Sequence, residues 1–204
     1  MAWLLAIVVS LQGCQLALLS KEDRIPITQQ QRAKAASYNV QLGIAYLRKG
    51  KRIRAKKKLL KALALTPESA EVQNALAYYF ESTGDVRKAE DCYQKALRLA
   101  PKTGTVLNNY GVFLCKRGDY LAAESFFLKA VEDTYYLNTA GAYENAGLCA
   151  ALIPDESKAS NYFIKALLQD PKRAARIEKL VHDLAQQQRL QKLKLVYRQH
   201  LKDY

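Results

Sequence analysis

The sequence predicts an all-α protein, a superhelical solenoid built from stacked helix–turn–helix units. Three observations predict it: a spaced pattern that occurs four times, glycine or proline at the expected helix ends, and nothing that reads as strands. The first copy runs Leu42-Gly43-x-x-Tyr46, then Ala55, Leu59, Ala62 and Pro67. A shift of 34 residues gives Leu76-Ala77-x-x-Phe80, Ala89, Tyr93, Ala96 and Pro101. A further 34 gives Tyr110-Gly111-x-x-Leu114, Ala123, Phe127 and Ala130, without the proline. The fourth copy lies 36 further on, at Ala146-Gly147-x-x-Ala150, Ala159, Phe163, Ala166 and Pro171.

Each copy reads as two helices of about 12–15 residues. Gly43, Ala77, Gly111 or Gly147 lets the paired helix approach closely, and Ala55, Ala89, Ala123 or Ala159 answers from the second helix. Bulky neighbours, such as Tyr46 with Leu59 or Phe80 with Tyr93, fill the space on either side. Gly50, Gly84 and Gly118 close three of the first helices, where a left-handed residue is cheapest without a Cβ. The fourth unit has Ile153-Pro154-Asp155 as its stop. Pro67, Pro101 and Pro171 end the second helices. Between units three and four, residues 133–139 replace the proline and carry the two extra residues. Beyond Pro171 the apolar spacing continues at Ile177, Leu180, Val181 and Leu184, then at Leu190, Leu193, Val196 and Leu201. That segment, 172–204, is expected to be a helical cap with a charged outer side. The period and its small–bulky alternation resemble the tetratricopeptide repeat, whose units wind into a right-handed superhelix. On that reading the repeats occupy 33–171, at about 36–69, 70–103, 104–139 and 140–173.

The chain opens on a short apolar run, Met1 to Leu11. It is too short to cross a bilayer as a helix, which needs about 20 apolar residues, and it has the length of a signal-peptide hydrophobic region. Leu11-Gln12-Gly13-Cys14 follows, resembling the lipobox of bacterial lipoproteins, although Gln12 is larger than usual and no basic residue precedes the run. The resemblance implies a signal peptide over 1–13 and lipidation of Cys14, and Gln15 after it implies the periplasmic face of the outer membrane. The plainer alternative is that Cys14 is a small apolar residue in an N-terminal helix. Residues 14–32 read as the lipidated cysteine and a linker. The polar stretch from about Ser20 to Arg32, with Pro26 and Gln29-Gln30-Gln31, would reach about 20–25 Å on average as a coil. From Gln29 onward it reads better as the start of the first helix.

Cys92, Cys115 and Cys149 are three cysteines at no metal-ligand spacing, which argues against a disulfide framework or a zinc site. Cys115 and Cys149 lie on the first helices of adjacent units and could bridge in an oxidising periplasm, but their expected faces differ. Buried packing is therefore the expectation for all three.

A formal charge of +13 on 204 residues is large for a scaffold. Nine cations cluster around the first turn, from Arg48 to Lys61, with no acid among them. A second basic region covers Lys172, Arg173, Arg176 and Lys179 and continues through Arg189, Lys192, Lys194 and Arg198. Such patches attract nucleic acid, acidic lipid or acidic protein, or are simply solvated helix faces. The absence of an aromatic-rich strand platform or zinc module, with an exported destination, argues against nucleic acid. Catalysis is not expected: His182 and His200 are the two histidines, and no nucleophile–base order, metal cluster or phosphate-binding glycine loop occurs. No cofactor, metal or small-molecule substrate is implied.

In tetratricopeptide folds the first helix of each unit lines the concave side. The residues expected there are Val40, Ile44 and Leu47, then Asn74, Tyr78 and Glu81, then Thr105, Asn108 and Val112, and last Glu144 and Leu148. Such a lining suits an amphipathic helix or an extended segment of a partner. It lacks the Lys and Asn of chaperone-binding carboxylate clamps, since Val40 and Ile44 stand in their place. Lipobox, spacer and repeats together are similar to the type IV pilus biogenesis lipoproteins of the PilF/PilW type. The segments Asn39–Leu47, Val106–Cys115 and Tyr143–Ala150 carry that similarity most strongly. It implies a pilotin, binding a secretin subunit and bringing it to the outer membrane to oligomerise. A general scaffold of envelope assembly, facing lipopolysaccharide or cell wall, and a cytosolic interaction protein are the alternatives.

Overall fold

The structure, a computed structural model, describes residues 28–153 and 156–186, and every regular element among them is helical. The first unit pairs α1 (Gln29–Arg48) with α2 (Arg52–Leu65), and the second α3 (Ala70–Thr83) with α4 (Val86–Leu99). The third pairs α5 (Gly104–Lys116) with α6 (Tyr120–Val131), and the fourth α7 (Thr139–Ala150) with α8 (Glu156–Gln169). A 3-10 turn at Pro171–Arg173 then leads into α9 (Ala174–Gln186). The chain is an all-α solenoid. Cys14, Pro154, Asp155 and the region from 187 onward lie outside the described residues.

The start of α1 is written in two side chains. Thr28 Oγ1 accepts from the Gln31 backbone N–H at 3.2 Å, and Gln31 Oε1 accepts from the Thr28 N–H at 2.9 Å. This capping box satisfies two otherwise orphaned donors. The first helix therefore begins at Gln29, the start the sequence favoured, and residues 29–32 are the first turn of its 20 residues. The first helices of three units stop where Gly50, Gly84 and Gly118 adopt φ of 69°, 86° and 85°. Only glycine takes that conformation without strain.

Within each unit one contact repeats. A Cβ added to Gly43 would sit 2.7 Å from Leu59, and one on Gly111 or Gly147 would sit 2.8 Å from Phe127 or Phe163. Leu59, Tyr93, Phe127 and Phe163 are at most 1% exposed, and burying each contributes about 1.5–3 kcal/mol. Ala77 holds the glycine's place in the second unit, opposite Tyr93. The resulting core runs from α3 to α9, taking in Tyr110, Phe113, Phe163 and, from α9, Ile177 and Val181. A second cluster spans α1 to α3, and Phe80 and Cys92 pack against both. No unit closes its core alone, as a repeat architecture requires.

The proline-free junction between α6 and α7 is held from the preceding unit. Gly104 donates its backbone N–H to Asp133 Oδ2 at 2.7 Å, and Tyr136 folds under the start of α5. A Cβ at Gly104 would meet Tyr136 Cβ at 2.5 Å and the Ala130 carbonyl oxygen at 2.8 Å. Backbone cannot yield as a side-chain tip can. Gly104→Ala is expected to cost about 1–3 kcal/mol in urea denaturation, the range for an overpacked core.

Candidate functional site: the first-helix groove

The first helices touch in series, α1 with α3, α3 with α5 and α5 with α7. The second helices of successive units are not in comparable contact. A stack packed more tightly along one row bends toward that row, so α1, α3, α5 and α7 form the inner curve.

The residues expected to line this curve separate into two levels. Ile44, Val112 and Leu148 are half-buried and Tyr78 is exposed, each standing one position after the small residue of its unit. These four make an accessible apolar row, one side chain per unit. Val40, Asn74, Asn108 and Glu144, three positions before the small residue, are buried and form the floor. Val40 and Leu47 belong to the core around Leu59, Val72 and Leu76 and offer a ligand little surface. Thr105 is exposed at one edge. Glu81 is mostly buried and held by Lys116 Nζ at 2.6 Å and by the Tyr93 hydroxyl at 2.8 Å.

The floor is cross-linked by amides. Asn145 Nδ2 donates to Asn108 Oδ1 at 3.0 Å, Asn108 Nδ2 to Asn109 Oδ1 at 3.3 Å, and Asn109 Nδ2 to Asn74 Oδ1 at 3.4 Å. A continuous ladder thus joins α7, α5 and α3. At its far end Glu144, 2% exposed, receives Arg173 Nη1 and Arg176 Nε, each at 2.8 Å. Arg173 also bonds Asn138 Oδ1 at 2.7 Å and Asp170 Oδ2 at 3.1 Å. Glu144 therefore anchors the α8–α9 junction, and sequence reasoning missed that role.

Comparison with known proteins agrees with this geometry. Residues 40–102 and 75–136 each match the tetratricopeptide repeat family model. Over 160 residues the chain is 35% identical to the type IV pilus assembly protein PilF of Pseudomonas aeruginosa, covering 78% of this chain. The solved structure of Pseudomonas aeruginosa PilF superposes with a TM-score of 0.66 at 32% identity, covering 82% of this chain and 77% of that one. The chain belongs to the type IV pilus family of tetratricopeptide-repeat proteins. It spans 62% of the length of the curated relative. PilW, a type IV pilus biogenesis factor, shares the fold at 23% identity with a TM-score of 0.67, over 82% of this chain and 78% of its own. MamA does so at 23% and 0.55, over 72% of this chain and 87% of its own.

In this pilus-family protein the groove is fastened by a covalent bond. Cys115 on α5 and Cys149 on α7 form a disulfide with their Cα atoms 5.8 Å apart, the bridge the sequence left open, in place of the buried packing it favoured. Cys115 is the fourth residue after Gly111 and Cys149 the second after Gly147. The bridge therefore runs diagonally between neighbouring helices. Cys92 is the free cysteine among the described residues, and burial pushes its thiol pKa up. Among those residues no group of His, Cys, Asp and Glu could hold a metal ion. None of their helices is long and apolar enough to cross a membrane.

Three tyrosines of the pilus-family stack each donate to a carboxylate on another helix. Tyr93 Oη donates to Glu81 and Tyr110 Oη to Glu90, both at 2.8 Å, while Tyr162 Oη donates to Glu124. Burial, then the bond to Glu90, pushes the Tyr110 phenol up to about 12. Burial likewise raises Tyr93 and Tyr162 well above the usual phenol range. A folded-state pKa above the unfolded value of about 10 means that the folded chain holds the proton more tightly. The stabilisation is complete below pH ~10 and is lost as pH rises from there through the folded pKa. Urea midpoints measured at stepped alkaline pH are expected to fall in that window, and Tyr110→Phe is expected to make the fall shallower.

Proposed function

We propose that the chain is a pilotin, a lipid-anchored assembly factor that binds a subunit of the pilus secretin and concentrates it at the outer membrane. One observation carries the reading: an accessible apolar row, Ile44, Tyr78, Val112 and Leu148, stands above a floor whose polar groups are already bonded to one another. A scaffold of this kind binds a partner segment and performs no bond chemistry. The kinship with PilF supports the choice of machine. The Cys115–Cys149 disulfide supports an oxidising compartment such as the periplasm. Cys14 supplies the anchor, and sharing a surface raises the effective concentration of a modest groove interaction.

The test separates anchor from groove. Tyr78→Ala with Leu148→Ser is expected to keep wild-type helicity and weaken secretin capture by about tenfold or more. Cys14→Ser is expected to capture the secretin normally but to leave it out of the outer membrane, scored by membrane fractionation. Secretin rings formed at normal yield in the outer membrane of the Cys14→Ser strain would sink the reading.

A further inference from the structure

We propose that the outward face of α2 rests on an anionic phospholipid surface, independently of any lipid on Cys14. One side of α2 is spoken for: Ala55, Leu59 and Ala62 are fully buried against α1. At 100° per residue the opposite side is centred on Ile53, Lys57, Leu60 and Ala64, flanked by Lys56 and Lys61. All six are exposed, Ile53 to 87% and Leu60 to 45%. The helix thus carries a second apolar strip, facing solvent, with cations on both sides.

The charge around that strip has one sign and no internal answer. From Arg48 to Pro67 there is no acid, and the nine cations are six lysines and three arginines. None of the nine takes part in an ion pair among the described residues. The same register in α4 reads Arg87, Glu90, Asp91, Gln94, Lys95 and Arg98, mixed in sign and without an apolar centre. In α6 the same register reads Leu121, Glu124, Ser125, Leu128, Lys129 and Glu132, apolar at its centre but with two acids beside it. The combination of an apolar strip with cations alone therefore distinguishes α2 from α4 and α6.

Three properties favour lipid over an acidic protein. An isoleucine at the middle of a cationic face finds hydrocarbon just beneath a layer of phosphates, whereas an acidic protein patch offers it none. Lysines are point charges on flexible stems, suited to mobile headgroups, and they can lie along apolar surface while the ammonium reaches phosphate. The outer side of a convex stack meets a flat sheet along one helix.

The test uses the full chain and vesicles of phosphatidylcholine, alone or mixed with phosphatidylglycerol. The apolar run at Met1–Leu11 contributes alike to both, so the ratio of the two partition coefficients isolates the anionic term. That ratio is expected to exceed one clearly and to shrink with added salt. Each cation at an anionic surface strengthens partition about fivefold, so Lys56→Gln, Lys57→Gln and Lys61→Gln together are expected to lower it about a hundredfold. Ile53→Ser is expected to lower binding to the mixed vesicles about tenfold. Because these side chains are exposed, both variants are expected to keep the wild-type melting temperature. Equal binding to both vesicles, or variants without effect, would overturn the proposal. So would retention on immobilised polyglutamate, insensitive to Ile53→Ser, with no phosphatidylglycerol binding, which would assign the face to an acidic protein.

Discussion

Replacing Arg173 and Arg176 together by methionine is expected to cost the protein about 3–5 kcal/mol, the range for a buried carboxylate stripped of its partners. Glu144 is 2% exposed, and both of its oxygens are held by these two arginines at 2.8 Å. Arg176 is largely exposed, so water offsets part of its loss, and losing the more buried Arg173 carries most of the cost. The loss should be local before it is global, because each unit of a solenoid depends on its neighbours only. Hydrogen exchange is expected to show α7 to α9 opening while α1 to α4 remain protected. Adding Glu144→Leu to the double variant removes the stranded charge and is expected to recover most of the stability, since well-packed apolar groups replace buried ion pairs at little cost. A double variant as stable as wild type in urea would refute the account.

The second large effect is expected from the disulfide. Cys115 and Cys149 close a loop of 34 residues, and removing such a crosslink costs about 3–4 kcal/mol by chain entropy. The Cys115→Ala, Cys149→Ala variant is expected to melt well below the oxidised wild type, and dithiothreitol is expected to bring the wild type down toward it. An unchanged melting temperature on reduction would show that packing alone fixes α5 against α7.

The repeats were legible because their chemistry is periodic. Gly43 against Leu59 and Gly147 against Phe163 are the same contact made twice, at a spacing that any reader of the chain can count. Helix ends were legible for a related reason, since Gly50, Gly84 and Gly118 sit where the backbone must turn left-handed. What stayed hidden depends on how one unit rotates onto the next. Cys115 and Cys149 occupy different faces of their own helices, and only the twist between α5 and α7 brings those faces together. Glu144 was placed in the groove by register. Its partners Arg173 and Arg176 come from the turn beyond α8 and from α9, and the sequence presented them simply as part of a basic patch. The lining divided for the same reason. Ile44, Tyr78, Val112 and Leu148 stay open, whereas Val40 and Leu47 are covered by their neighbours, and burial is a property of the stack.

The asparagine ladder has a consequence for what such a cleft can distinguish. Amides already engaged with one another, from Asn145 through Asn108 and Asn109 to Asn74, leave an incoming chain few directional contacts to match. Selection then falls to bulk and spacing along the four hydrocarbon teeth. On the proposed role, two guests of unrelated sequence but equal apolar rhythm would be held about equally well, and fidelity in assembly would then come from where the protein is stationed rather than from what it reads.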